Sequence, residues 1–236
     1  MSNPYFQFKQ FTVWHDKCAM KVGTDGVLLG AWASVRNAHK ILDVGTGTGL
    51  VALMLAQRSL PDADIVALEI DKAAAGQAGE NVARSPWKER IEVVQADFRN
   101  YQSSDKFDVI VSNPPYFVDS LECPDQQRNA ARHNDSLTYE ELLEGVAGLL
   151  AEDGAFTIVI PTDVADRVKM IATAKNLYAV RQLNVITKPG GIPKRTLITF
   201  TFSNRECIIE ELLTELARHQ YSEEYIALTR EYYLNM

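Results

Sequence analysis

Residues 40–57 read KILDVGTGTGLVALMLAQ. The apolar residues Ile41, Leu42 and Val44 lead into three alternating glycines, Gly45, Gly47 and Gly49, and then at once into an apolar segment. Glycine populates positive φ without a steric penalty, so this spacing predicts a tight strand-to-helix turn whose backbone a ligand can approach closely. A bare glycine fingerprint would also fit a nicotinamide or flavin enzyme. Two details narrow the reading. The spacing is GxGxG and not GxGxxG, and Asp43 stands two residues before the first glycine. A carboxylate in that place suits a ligand that carries an ammonium group and no pyrophosphate.

Downstream, the alternation of strand and helix continues. DIVALEI (64–70), IEVVQAD (91–97), FDVIVSN (107–113) and AFTIVIP (155–161) read as strands buried on both faces. Residues 50–58, 72–84, 138–151 and 164–176 carry helical spacing, with Leu142, Val146, Leu149 and Leu150 as one apolar stripe. Thr138 followed by Glu141 matches a capping box. The class predicted is α/β, a doubly wound Rossmann-like sheet. Residues 5–23 alternate loosely and predict a small β hairpin before a helix near 24–33. Near the other end, RTLITFTF (195–202) alternates as a strand with no helical crossover of its own length before it. CIIEELLTELARH (207–219) fits a helix by spacing, yet its first half also fits a strand. The chain reads as a single domain over 1–236, with an N-terminal hairpin and helix over 1–35, a core over 36–205 and a C-terminal extension over 206–236.

With 46% hydrophobic and 23% charged residues, the composition is that of a soluble globular protein. Stretches such as FTIVI and VALMLA are far shorter than the ~18 residues of a membrane span, and MSNPYFQFKQF lacks the features of a signal peptide. Cys18, Cys123 and Cys207 are far apart and form no CxxC pair, which argues against a structural metal site and for a reducing, cytoplasmic setting. The formal charge of −7 is unevenly spread. Residues 164–205 carry eight Lys/Arg against Asp166, whereas 206–236 carry seven acids against Arg218 and Arg230. An acidic protein with one basic segment can still use that segment on a polyanion.

Two further strand ends carry acids. Glu69 lies 20 residues past Gly49, where a carboxylate can take both hydroxyls of a ribose. QADF places Asp97 to accept from an adenine amino group, with Phe98 to pack on the ring. An adenosine with free ribose hydroxyls and a charged amino-acid tail describes S-adenosylmethionine. At 111–117 the chain reads VSNPPYF. Proline cannot donate to a strand ladder and holds φ near −65°, so the strand must stop there. The corner is either a stiff turn or a device that holds Asn113 and freed carbonyls at a site.

Asp43–Gly49, Glu69, Asp97 and Asn113–Tyr116 together resemble the class I methyltransferase fold in its N-methylating branch. The resemblance implies a sheet of seven strands with the last antiparallel, and an element before the first strand that covers the methionine end of the cofactor. KVGTDGVLLGAW (21–32) is similar to that element, with Lys21, Gly23, Thr24 and Asp25 as candidates; Thr46 and Ile70 complete the implied cofactor set. The competing reading of 21–32 is a structural helix capped by Thr24 or Asp25. In this fold Asn113 faces the methyl group to be transferred. Its side-chain oxygen and the Pro114 carbonyl would each accept one N–H of a planar amino group, turning the lone pair toward the methyl carbon and favouring the charge that develops on nitrogen. Pro114 and Pro115 fix both acceptors, Tyr116 offers a stacking ring, and no general base is needed, His133 included.

The same clamp serves adenine N6, guanine N2 of ribosomal RNA and glutamine N5 of release factors. FTVWHDKCAMKVGTDGVLLGAW (11–32), ARHNDSLTYEELL (131–143), KPGGIPKRTLITF (188–200) and YSEEYIALTREYYL (221–234) resemble the bacterial tRNA(Val) adenine-37 N6-methyltransferases over nearly the whole chain. That resemblance implies a tRNA anticodon loop as substrate. Lys188, Lys194 and Arg195, with Arg128, Arg132 and His133 on the long 117–136 segment, are then candidates for its phosphates. Neither a membrane nor a metal enters this reading. Glutamine and guanine targets, and a non-catalytic RNA-binding module, stand as the alternatives.

Overall fold

A computed structural model describes residues 3–18, 21–115, 137–218 and 220–236. The N-terminal hairpin pairs β1 (Tyr5–Gln7) antiparallel with β2 (Thr12–Trp14), and α1 (Thr24–Trp32) follows. The alternating core runs β3 (Lys40–Val44), α2 (Leu50–Arg58), β4 (Asp64–Glu69), α3 (Lys72–Ala83), β5 (Ile91–Gln95), a 3-10 turn at Phe98–Asn100 and β6 (Phe107–Ser112). It resumes with α4 (Tyr139–Leu149), β7 (Leu150–Pro161), a second 3-10 turn (Thr162–Val164), α5 (Ala165–Thr173), β8 (Tyr178–Ile186) and β9 (Arg195–Thr201). The described chain closes with β10 (Ile208–Leu213), a short β11 (Glu215–Ala217) and β12 (Gln220–Tyr221) hairpin, and α6 (Glu223–Thr229).

Eight strands form the main sheet in the order β10-β8-β9-β7-β6-β3-β4-β5. The seven expected strands are present, and β9 runs antiparallel between β7 and β8. An eighth, β10, adds itself parallel to β8, which resolves the ambiguous 207–213 stretch as strand. Its burial explains the ambiguity: Ile208 and Ile209 are exposed on an edge strand, and only Leu212 is buried. Leu150, read from its spacing as the end of a helical stripe, instead opens β7 directly after α4.

Central strands are apolar on both faces because both are covered. On β3, Ile41 joins a core with α1 and α2, while Leu42 joins a second core with α4 and α5. Val109 and Val111 on β6 divide from Ile110 in the same way. The Thr138–Glu141 capping box forms as expected, with Glu141 N donating to Thr138 Oγ1 at 3.1 Å and Thr138 N to Glu141 Oε2 at 2.8 Å. Among the described residues no helix is long and apolar enough to cross a membrane. The parallel strands β3, β4 and β6 end on one rim, and antiparallel β9 begins there.

Candidate active site

That rim is built around the glycine turn. Gly45, Gly47 and Gly49 have φ of 74°, 57° and 81°. A Cβ at Gly45 or Gly47 would meet nothing within 4 Å, so the left-handed backbone demands glycine here, not crowding. Gly45 N and Thr46 N donate to Leu68 O at 2.9 and 2.8 Å, which hangs the turn on the end of β4.

Asp43 is 1% exposed and looks inward. Its Oδ2 accepts from Thr46 Oγ1 at 2.5 Å and from Ala52 N, in the first turn of α2, at 3.1 Å. Burial pushes its carboxyl up to about 7, outweighing those two hydrogen bonds, and the charge of Glu69 adds to the rise. The sequence reading aims this carboxylate at a ligand's ammonium group; the structure commits Oδ2 to shaping the turn, with Thr46 buried beside it.

Glu69 ends β4 half-buried, with Oε2 accepting from Gly47 N at 2.8 Å and Oε1 from Asp71 N at 2.9 Å. Each carboxylate oxygen has a second lone pair for a hydroxyl donor. Ile70 beside it is 54% exposed, an apolar side chain presented at the rim. Asp97 is engaged as sequence could not foretell. The Arg99 guanidinium grips both its oxygens, with Nε 2.9 Å and Nη2 2.7 Å from Oδ2, and holds the carboxyl below its ordinary range. Phe98, expected to lie on an adenine ring, is a core residue here, buried against Gly145 of α4.

The Asn-Pro-Pro corner emerges beside the glycine turn. Ser112 pairs in register with Val44 and its Oγ donates to Val44 O at 2.9 Å, so Asn113 leaves the sheet alongside Gly45. Asn113 is half-buried, Pro114 buried and Pro115 exposed. Tyr116 and the candidates Arg128, Arg132 and His133 lie outside the described residues. The first turn of α1 lies close to this corner: a Cβ on Gly26 would stand 3.0 Å from Leu50 Cδ2 and 3.9 Å from Asn113 Nδ2. Gly23 is the N-cap of α1 and no side chain caps it, so Thr24 and Asp25 are not the structural caps of the competing reading. Thr24 is exposed on that turn and Lys21 just before it. Asp25 pairs with Arg195, Oδ2 to Nε at 3.0 Å, across 170 positions of sequence.

Because β8 ends and β9 begins on this rim, residues 187–194 connect them next to α1. Lys188 and Lys194 are exposed there, Gly190 has φ 72°, and Lys194 N donates to Val185 O at 3.2 Å. Lys188, Lys194 and Arg195 are thus brought to the same side as Asn113, though Arg195 is tied to Asp25.

Two amides on α3 escaped the sequence reading. Asn81, 1% exposed, accepts from Trp14 N and donates to Trp14 O and Thr48 O, each at 2.9 Å. Gln77, one turn earlier and equally buried, accepts from Lys17 N at 3.1 Å. Together they strap the segment after β2 across α3 to the glycine turn. Cys18 follows on that segment; burial and then the charges of Glu69, Asp71 and Asp16 push its thiol up to about 11. The only available signal was two polar residues, four apart, on a helix otherwise apolar on that face. Among the described residues no three His, Cys, Asp or Glu side chains are grouped to hold a metal ion.

Residues 21–186 match the family described as Methyltransferase small domain. The tRNA1(Val) (adenine(37)-N6)-methyltransferase of Bacteroides thetaiotaomicron is 82% identical over 236 residues, covering 100% of both chains. The protein of the same name from Aeromonas hydrophila is 47% identical, covering 99% of both. Among solved structures, a predicted O-methyltransferase from Agrobacterium tumefaciens superposes with a TM-score of 0.66 at 19% identity, over 90% of this chain and 100% of that one. That likeness establishes the fold alone. On the full-length identities, the chain belongs to the tRNA1(Val) (adenine(37)-N6)-methyltransferase family.

Proposed function

We propose that this chain transfers the methyl group of S-adenosylmethionine to N6 of adenine 37 in tRNA1(Val), the reaction its relatives are named for. The observation that carries the reading is the emergence of Asn113 beside the glycine turn, with the first turn of α1 close to it. The residues fit the cofactor. Glu69 keeps a lone pair on each oxygen for the ribose hydroxyls, Ile70 is presented for the adenine, and Asp97 stands at the next strand end. Lys21, Thr24 and Asp25 flank the methionine end. When bound, S-adenosylmethionine would supply an electrophilic methyl group and leave as the neutral thioether S-adenosylhomocysteine, the methylated cationic amine shedding its extra proton to water.

The chain's own part is to orient the acceptor. Asn113 Oδ1 and Pro114 O accept the two N–H bonds of the adenine amino group, which draws its lone pair out of conjugation with the ring and directs it at the methyl carbon. Both acceptors also stabilise the positive charge that grows on nitrogen. Pro114 and Pro115, with φ fixed by their rings, stiffen the backbone that carries both acceptors. Tyr116 stacks on the base. Base 37 lies in an anticodon loop, so splaying it outward needs less free energy than flipping a paired base. Lys188 and Lys194, with Arg128 and Arg132, take the backbone phosphates in a cytoplasmic setting where tRNA is found.

Guanine N2 and glutamine N5 would use the same acceptors, so the product decides between them. Labelled S-adenosylmethionine is incubated with unmodified total tRNA and the tRNA is digested for nucleoside mass spectrometry. N6-methyladenosine that disappears with Asn113→Ala, while cofactor binding survives, is the expected result. Label in protein or in ribosomal RNA keeps the clamp and discards the substrate.

A further inference from the structure

Arg195 lies in the basic segment and reads from sequence as a phosphate ligand, yet its guanidinium is bonded within the protein. Nε is bonded to Asp25 Oδ2 at 3.0 Å and Nη1 donates to Lys194 O at 2.9 Å. Only about a third of the Arg195 side chain and a quarter of that of Asp25 are exposed. Asp25 sits in the first turn of α1, one residue before Gly26, and a Cβ on Gly26 would stand 3.9 Å from Asn113 Nδ2. A side chain on Gly26 would press Leu50, the first residue of α2. The first turn of α1 therefore lies beside the clamp and is tied to the first residue of β9 by a charge-assisted hydrogen bond. Main-chain bonds fix the other side of the joint: Thr162 N donates to Lys194 O at 3.3 Å and Lys194 N to Val185 O at 3.2 Å.

We infer that Arg195 is a positioning residue: through Asp25 it holds the first turn of α1 in place beside Asn113, so that the segment offered to RNA and the amide that orients the target base move as one unit. The inference rests on the methyl transfer proposed above. It assigns Arg195 to the rate of transfer and Lys188 and Lys194 to the polyanion. A misplacement of about 1 Å at an orienting group can lower a rate by orders of magnitude without loss of binding.

Transfer is measured at saturating S-adenosylmethionine and saturating tRNA, together with tRNA affinity across salt concentrations. The variants are Arg195→Gln, Asp25→Asn, the two combined, and the swap Asp25→Arg with Arg195→Asp. Each single substitution is expected to lower kcat about tenfold with the KM for tRNA within about twofold. The pair should be no worse than either alone, and the swap should restore part of the loss. The salt slope of tRNA binding stays at the wild-type value in all of them. A slope flattened by ~0.7–0.9 in Arg195→Gln and unchanged in Asp25→Asn would make Arg195 a phosphate ligand and overturn the inference. Additive losses would overturn it too, as would a swap no better than the double variant at an unchanged melting temperature. If the wild-type chain labels a different substrate, the proposed target fails while the same kcat cycle, run on that substrate, still tests the Asp25–Arg195 joint.

Discussion

The side chain of Asn81 closes a ring on the backbone of Trp14, accepting from its N–H and donating to its carbonyl, both at 2.9 Å. Its remaining N–H reaches Thr48 O, in the glycine turn. One buried amide thus satisfies the end of β2 and a carbonyl of the turn together. Asn81→Ala leaves three main-chain groups without this partner, and an unmade buried hydrogen bond costs ~1–3 kcal/mol. We expect a loss of stability of about that size in urea unfolding. We also expect weaker S-adenosylmethionine binding by calorimetry, because the turn loses its tether. Unchanged cofactor affinity in the destabilised variant would separate the tether from the site.

Asp43 gives the protein a pH dependence of distinct sign. An unfolded aspartate titrates near 3.9, and burial pushes this one up to about 7. Between those values the folded chain keeps a proton that the unfolded chain has released, so raising the pH through this window weakens folding. The contribution is fully present below pH ~4 and lost as pH rises through about 7. Asp43→Asn, whose amide oxygen can still accept from Thr46 and Ala52, should flatten the stability profile between pH ~4 and 7 and gain on the wild type above it. Parallel profiles for the two proteins would show that Asp43 is ionised in the fold.

Two glycines of α4 should respond in opposite directions. A Cβ at Gly145 would stand 2.5 Å from Cε1 and 2.9 Å from Cζ of buried Phe98, whereas one at Gly148 would meet nothing within 4 Å. Alanine is favoured over glycine inside a helix by up to ~1 kcal/mol, but overpacking a core costs ~1–3 kcal/mol. Gly145→Ala is expected to lower the melting temperature, and Gly148→Ala to hold or raise it. Equal shifts would mean that Phe98 moves aside freely.

The exposed lysines of the 187–194 connection have a salt signature. Lys188→Glu with Lys194→Glu should weaken tRNA binding and reduce the slope of log affinity against log salt by ~0.7–0.9 for each phosphate contact removed. Filter binding from low to moderate salt measures it. A slope equal to the wild type removes this segment from the interface.

What sequence made legible followed from burial. β3, β4, β6 and β7 are covered on both faces and read as unbroken apolar runs, and the glycine turn needed only its spacing. β8 was invisible because Arg181, Gln182 and Asn184 interrupt it; Arg181 spends its charge on Glu210 of β10 at 2.9 Å and stacks over the Trp32 ring. The site followed the same logic. Glu69 and Asn113 stand where strand ends predicted, since a strand's end fixes its rim. The partners of Asp97 and Asp25 depended on a neighbouring guanidinium and on a contact across 170 positions, neither of which leaves a periodic trace. Asn81 and Gln77 look like surface residues until α3 is seen with the N-terminal segment laid over it.

The reversed direction of β9 has a consequence for how such a protein can diversify. A parallel strand in its place would be entered from the opposite rim, and the turn leading into it would lie away from Asn113. Running against its neighbours, β9 shares with β8 a short hairpin whose two ends are pinned within the sheet, at Val185 and Lys194. Such a hairpin behaves as a cassette. Its interior can drift in length and charge only while its last anchor, the Arg195–Asp25 pair, stays in place, so this hairpin and the strand that delivers Asn113 are tied at a single joint.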